Sequence, residues 1–228
     1  MRLPALLSWF LASASWCFSN EIKTPWMQPC HYVAQHDPVT IVVEEDRSYA
    51  VRYPVQSWTT VNDWAKGREL TLFYDENSGA ALKDLGTRLS LPLVGWPEDG
   101  HPIDLILRQE LAETVTTQDI GEAYARAASR WEREVNRAFH LLATCPESGP
   151  ADRAHVSSAA KAWKKYQTNY LAGVNATLSR RVGTMWGIEA VRHRYTFFRE
   201  QAVRLSSLLD YATVDLMDEV AKISPSKP

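Results

Sequence analysis

The residues able to do chemistry in this chain are few and scattered. The six histidines are His31, His36, His101, His140, His155 and His193, and none has the short spacing through which imidazoles share a metal ion. Two lie near a carboxylate, in His36-Asp37 and Glu189…His193, but chance readily supplies such pairs in a chain with 27 acidic residues. Asp104 and Glu110 share one short helical segment, and nothing marks them as an acid and its base. No glycine-rich phosphate loop, G-x-S-x-G, H-E-x-x-H or C-x-x-C motif occurs. The expectation is a protein that is not an enzyme, with no metal and no cofactor.

Cysteine use and the chain start set the compartment. Residues 1–19, within "MRLPALLSWFLASASWCFSN", carry Arg2, an apolar run and then small residues, the layout of a cleaved signal peptide. A periplasmic or secreted protein is expected, and no later segment has the length and apolarity of a membrane span. Beyond Cys17 the chain holds only Cys30 and Cys145. Two cysteines in an oxidising compartment read as one disulfide; the alternative is a pair of buried thiols.

Charge is divided along the chain. Residues 20–150 carry 12 Lys and Arg against 20 Asp and Glu, whereas residues 151–205 carry 10 against 3. An acidic front half suits a cationic partner, unless the two halves simply neutralise each other. No basic stripe spans the whole chain, so no nucleic-acid partner is expected.

The elements that must position these residues change character midway. Between about residues 30 and 95, "VTIVVEE", "SYAVRY", "RELTLFYD", "AALKDL" and "TRLSLPLVG" are short β-prone runs separated by turns such as Glu76-Asn77-Ser78-Gly79. "TTVNDWAKG" reads as a short helical turn. "GWPEDGHP" then marks a boundary. Behind it, Ile103, Ile106, Leu107 and Leu111 mark a short helix. Thr116 and Asp119 form a capping box ahead of a stripe of Ile120, Tyr124, Ala127, Trp131, Val135, Ala138 and Leu142. Asp152 is the expected N-cap of the next helix, with Val156, Ala160, Trp163, Tyr170, Val174 and Leu178 as its buried stripe. After Gly183, a third stripe runs from Ile188 through Val191, Tyr195, Phe198, Ala202, Leu205 and Leu209 to Leu216. The expected class is α+β: a β-rich antiparallel domain over 20–99, then an antiparallel three-helix bundle over 100–228.

Three helical stretches carry a family resemblance. "TTQDIGEAYARAASRWEREVNRAFHLL" with Asn136, Phe139 and Leu142, "AAKAWKKYQTNY" with Trp163 and Tyr166, and "GTMW…TFFREQAVRLSSL" with Thr196, Arg199 and Leu205 resemble the lysozyme-inhibitor LprI-like family of exported bacterial proteins. The resemblance covers about residues 116–209. Where that family carries cysteines, this chain has Glu110, Ala123 and Tyr170 at some of the places. The resemblance implies a helical module that binds a protein partner, a cationic lysozyme or a secreted muramidase effector, and inhibits it in the manner of an immunity protein. The alternative is a cell-envelope scaffold, associated with peptidoglycan, that does not inhibit. Packing consumes the helix stripes, so a bundle end is the expected contact surface, and the turn with Arg180, Arg181, Thr184 and Trp186 is the candidate. The competing reading is that Trp186 caps the core and the arginines complement helix carbonyls.

Overall fold

The computed structural model describes residues 25–35, 40–44, 47–51, 58–144, 149–181 and 183–223, with the backbone alone at 58, 59, 184 and 210–223. The expected signal peptide, His36-Asp37 and Cys145 lie outside the described residues.

Six strands form the front half: β1 (Trp26–Gln35), β2 (Thr40–Val43), β3 (Arg47–Val51), β4 (Glu69–Asp75), β5 (Gly79–Asp84) and β6 (Leu89–Gly95). Their order, β1-β2-β3-β6-β5-β4, closes into a barrel in which every neighbouring pair is antiparallel. Closure comes from β1 against β4, with Trp26 opposite Tyr74 and His31 opposite Glu69. It satisfies edges that an open sheet would leave exposed. Side chains alternate across the pleat, which puts Cys30, Tyr32, Ile41, Val43, Tyr49, Val51, Leu70, Leu72, Leu82, Leu91 and Leu93 in the core. The sequence had shown five of these strands, but not most of β1. Pro29 interrupts that strand's reading, and a proline cannot donate to a ladder.

The β4–β5 turn shows why its residues are chosen. The Asp75 carboxylate accepts from the backbone N–H of Asn77 (2.9 Å) and Ser78 (3.0 Å). Gly79 sits at φ +78°, and a Cβ there would lie 2.5 Å from Arg137 Nε. Glycine therefore permits both the turn and the approach of the helix layer.

Five helices occur among the described residues, rather than the three of the expected bundle: α1 (Trp58–Asn62), α2 (Pro102–Ala112), α3 (Thr117–Ala143), α4 (Pro150–Leu178) and α5 (Thr184–Ile223). The two additions, α1 and α2, are the short segments read from the sequence. At α3 the capping box forms: Asp119 N–H donates to Thr116 Oγ1 (3.1 Å), and Thr116 N–H donates to Asp119 Oδ2 (2.9 Å). At α4 the expectation is corrected. Gly149 is the N-cap, and Asp152 stands inside the first turn, accepting from Gly149 N–H at 2.9 Å. The carboxylate serves the helix start from one turn further on.

α3, α4 and α5 run up, down and up, which brings the N-termini of α3 and α5 to one end of the bundle. Ile188 lies over Gly121, and Arg192 lies 5.6 Å from the Tyr124 ring centre. One hydrophobic core runs through barrel and helices alike, from Tyr49 and Leu93 through Ile103 and Trp131 to Phe198 and Leu209. The Gly/Pro-rich segment at 95–102 is thus a turn in the chain and not a gap in the core. Tyr49 Oη donates to Gly100 O at 3.0 Å, and His101 is buried between Trp96 and Trp131, with ring centres at 4.5 and 4.3 Å.

The expected bridge between Cys30 and Cys145 is not formed. Cys30 is a free thiol, 3% exposed, pointing into the barrel beside Val43, Tyr49 and Leu72. Burial pushes this thiol up to about 11, so it behaves as a small apolar core group.

Candidate functional site

α4 ends at Leu178, and Arg180 and Arg181 follow on the surface. Gly183 sits at φ +119°, a conformation that favours glycine, and the chain re-enters a helix at Thr184. Trp186 N–H closes the turn on Gly183 O at 3.4 Å. The four residues singled out in the sequence are therefore neighbours on one turn. Trp186 is half-buried, and the Arg181 guanidinium lies over its ring with Cζ 4.3 Å from the centre. Met185 is 72% exposed beside it. Val115, immediately before the α3 cap, is 92% exposed and belongs to the same bundle end. This end presents fixed positive charge and apolar surface that packing does not use. Such a combination serves contact with another molecule.

A second exposed feature runs from the turn along the seam of α4 and α5. Phe197 of α5 is stacked between Trp163 (4.8 Å, 15°) and Tyr170 (4.5 Å, 10°) of α4, with Tyr166 tilted against it at 5.8 Å. The stripe read from the sequence does face α5, but α4 contains no buried residue, so Trp163 and Tyr170 are half-buried contacts and not core. Next to Tyr170, the helices leave an open groove of about 450 Å³ lined by Asn169, Gly173, Val174, Thr177, Leu178 and His193.

The other candidate groups are committed to the fold. Asp104 is buried and accepts from Trp131 Nε1–H (3.1 Å), Tyr195 Oη–H (2.8 Å) and Arg199 Nε–H (2.8 Å). Burial and the neighbouring Asp104 charge hold the Tyr195 hydroxyl above its ordinary range. Glu110 pairs with Arg126 (3.1 Å) and Arg130 (2.8 Å), well apart from this cluster in role. His101 accepts from Ile103 N–H at 3.2 Å, and burial, then Arg137 and Arg199, hold it well below its ordinary value. Glu189 and His193 are 3.5 Å apart on the surface of α5. Among the described residues no three His, Cys, Asp or Glu side chains converge as a metal site. No helix there is long and apolar enough to cross a membrane. The sequence reading missed the Asp104 cluster. Its signal was a buried-stripe tryptophan, Trp131, whose N–H requires an acceptor.

Compared with family models, curated proteins and solved structures, the chain matches none.

Proposed function

We propose that this chain is an exported binding protein that docks a partner protein on its α4–α5 turn, and that the partner is a lysozyme-like muramidase whose cleavage of peptidoglycan it blocks. The observation that carries the reading is the turn itself: Arg180 and Arg181 are exposed, Trp186 is half-buried, and Met185 stands out beside them. A glycosidase works between two carboxyl groups roughly 5–9 Å apart, so its cleft is lined by carboxylates even where the whole enzyme is cationic. A projecting turn with two guanidinium groups and an aromatic anchor fits such a cleft. The acidic front half of the chain favours encounter with the cationic body of the enzyme. The resemblance of the helices to the LprI-like family supplies the enzyme class.

The test is peptidoglycan hydrolysis by a panel of muramidases with and without the full chain. The expected result is that at least one enzyme is slowed and that the charge reversal R180E/R181E relieves the inhibition. Binding without inhibition would assign the protein to the envelope-scaffold class, and neither binding nor inhibition across the panel would remove the muramidase as partner.

A further inference from the structure

From Arg153 to Ile188 the sequence holds no Asp or Glu, yet it carries Arg153, Lys161, Lys164, Lys165, Arg180 and Arg181. The structure turns this bias into a surface. The segment is α4 and the turn after it, and the three lysines are exposed on the helix side away from α5. No ion pair to Lys161, Lys164 or Lys165 is found among the described residues. Among the described residues, two acids on the neighbouring helices are already engaged. Glu132 accepts from Arg194 (2.7 Å) and Gln167 (2.7 Å), and Glu189 lies 3.7 Å from Arg192. Lys161 and Lys165 lie one helical turn apart, with Ala154, Ser158, Thr168, Ala172 and Ala176 completing their face. A backbone can approach closely along residues of that size. On the flank, Tyr166 is 54% exposed, and Gly173 leaves open space where a side chain would fill the groove.

We infer that the outer face of α4 is a second docking surface, taken by a protein partner with a carboxylate-rich face, and that Tyr166 anchors that contact. Charge complementarity names the sign of the partner. The 29 residues of α4 span roughly 40 Å, enough for one side of a specific protein–protein interface. A lipid surface fits less well, because the face around the lysines carries only Ala, Ser and Thr, which leaves Tyr166 on its flank as a single ring to bury at a headgroup boundary. The groove at Tyr170, one helical turn on from Tyr166, is uncharged in the main, which suits a side chain rather than a string of phosphates. The inference does not rest on the muramidase reading, since it concerns the side of the helix and not the turn at its end.

The probe is a fluorescent poly-glutamate peptide of about 20 residues, titrated with the full chain at low and at physiological salt, where screening differs. A DNA duplex of similar length and anionic phospholipid vesicles are run in parallel. The expected result is salt-sensitive binding of poly-glutamate, tighter than that of the duplex or vesicles. It falls about tenfold in K161E/K165E and severalfold in Y166A. The equal change of net charge in K66E/R88E, on the barrel, leaves it within about twofold. Equal weakening by the barrel reversal would reduce the effect to net charge and overturn the proposal. So would undiminished binding by K161E/K165E, preferential binding of duplex or vesicles, or self-association of the chain that excludes the peptide. None of these outcomes involves a muramidase, so failure here is distinguishable from failure of the inhibitor reading.

Discussion

The indole of Trp131 is fully buried, so its N–H needs an acceptor inside the protein, and Asp104 supplies one while also receiving Tyr195 and Arg199. One carboxylate thereby ties α2 to α3 and α5. Removing it leaves a partly buried guanidinium and two donors without their acceptor. Asp104→Ala should destabilise by about 3–5 kcal/mol in urea unfolding, with Asp104→Asn intermediate because the amide oxygen still accepts one bond. A loss below about 1 kcal/mol for the alanine variant would mean that water replaces the carboxylate. His101 makes the chain sensitive to acid. Its imidazole is held neutral in the fold by burial, Arg137 and Arg199, whereas the unfolded chain takes up a proton near pH 6.5. The contribution is full above about pH 6.5 and is lost as pH falls below it toward the depressed folded value. Unfolding measured from about pH 7.5 to 5.5 should lose stability, and His101→Asn, which keeps a cap acceptor, should flatten that part of the profile. The sequence displayed Asp104 and His101 as isolated polar letters. Asp104 matters through residues as far as 95 positions away, such as Arg199, and His101 through the same distant arginine, which no local pattern records.

At the scale of elements, α4 differs from its neighbours. α3 buries Ala123, Ala127, Trp131, Val135 and Ala138, and α5 buries Phe198, Ala202 and Leu205, while α4 buries none of its residues and holds on through the aromatic stack at Phe197. Hydrogen exchange should therefore open α4 at a lower free energy than α3; equal protection of the two helices would contradict this order. Phe198→Ala should cost about 3–5 kcal/mol as a buried aromatic deletion. Phe197→Ala should cost less and show itself mainly as faster exchange along α4. Helical periodicity disclosed the three stripes wherever their side chains are described, up to Leu209 on α5, because the side that faces a neighbour repeats every 3.6 residues whether the contact is deep or shallow. Depth was not legible. Trp163 looked like core by type and spacing, and only the thin seam between α4 and α5 leaves it half-exposed. The barrel was legible as strands and turns but not as a closed ring, since closure depends on β1 meeting β4 across 38 or more positions, as His31 and Glu69 do.

For the molecule as a whole, the continuous core sets the expectation for cutting it. Residues 100–228 alone would expose Ile103, Ile106, Trp131 and the buried Glu134 with its partly buried partner Arg137, whose guanidinium donates to Leu93 O at 3.2 Å. That fragment should be helical by circular dichroism but melt broadly, whereas the full chain melts cooperatively; a sharp transition in the fragment would restore an independent helical domain. The change of period at "GWPEDGHP" located the passage from barrel to helices. It carried no information about whether the core stops there. On the proposed reading, the molecule meets its partner with the α4–α5 turn. The most direct test is a paired measurement on Trp186→Ala: thermal unfolding, and affinity for the muramidase that the wild-type chain inhibits most strongly. Trp186 is half-buried beneath Arg181, so its loss should cost less stability than the about 3–5 kcal/mol of a fully buried aromatic while weakening partner affinity by about 2 kcal/mol or more. Unchanged affinity in a destabilised variant would contradict the claim and make Trp186 a cap of the bundle.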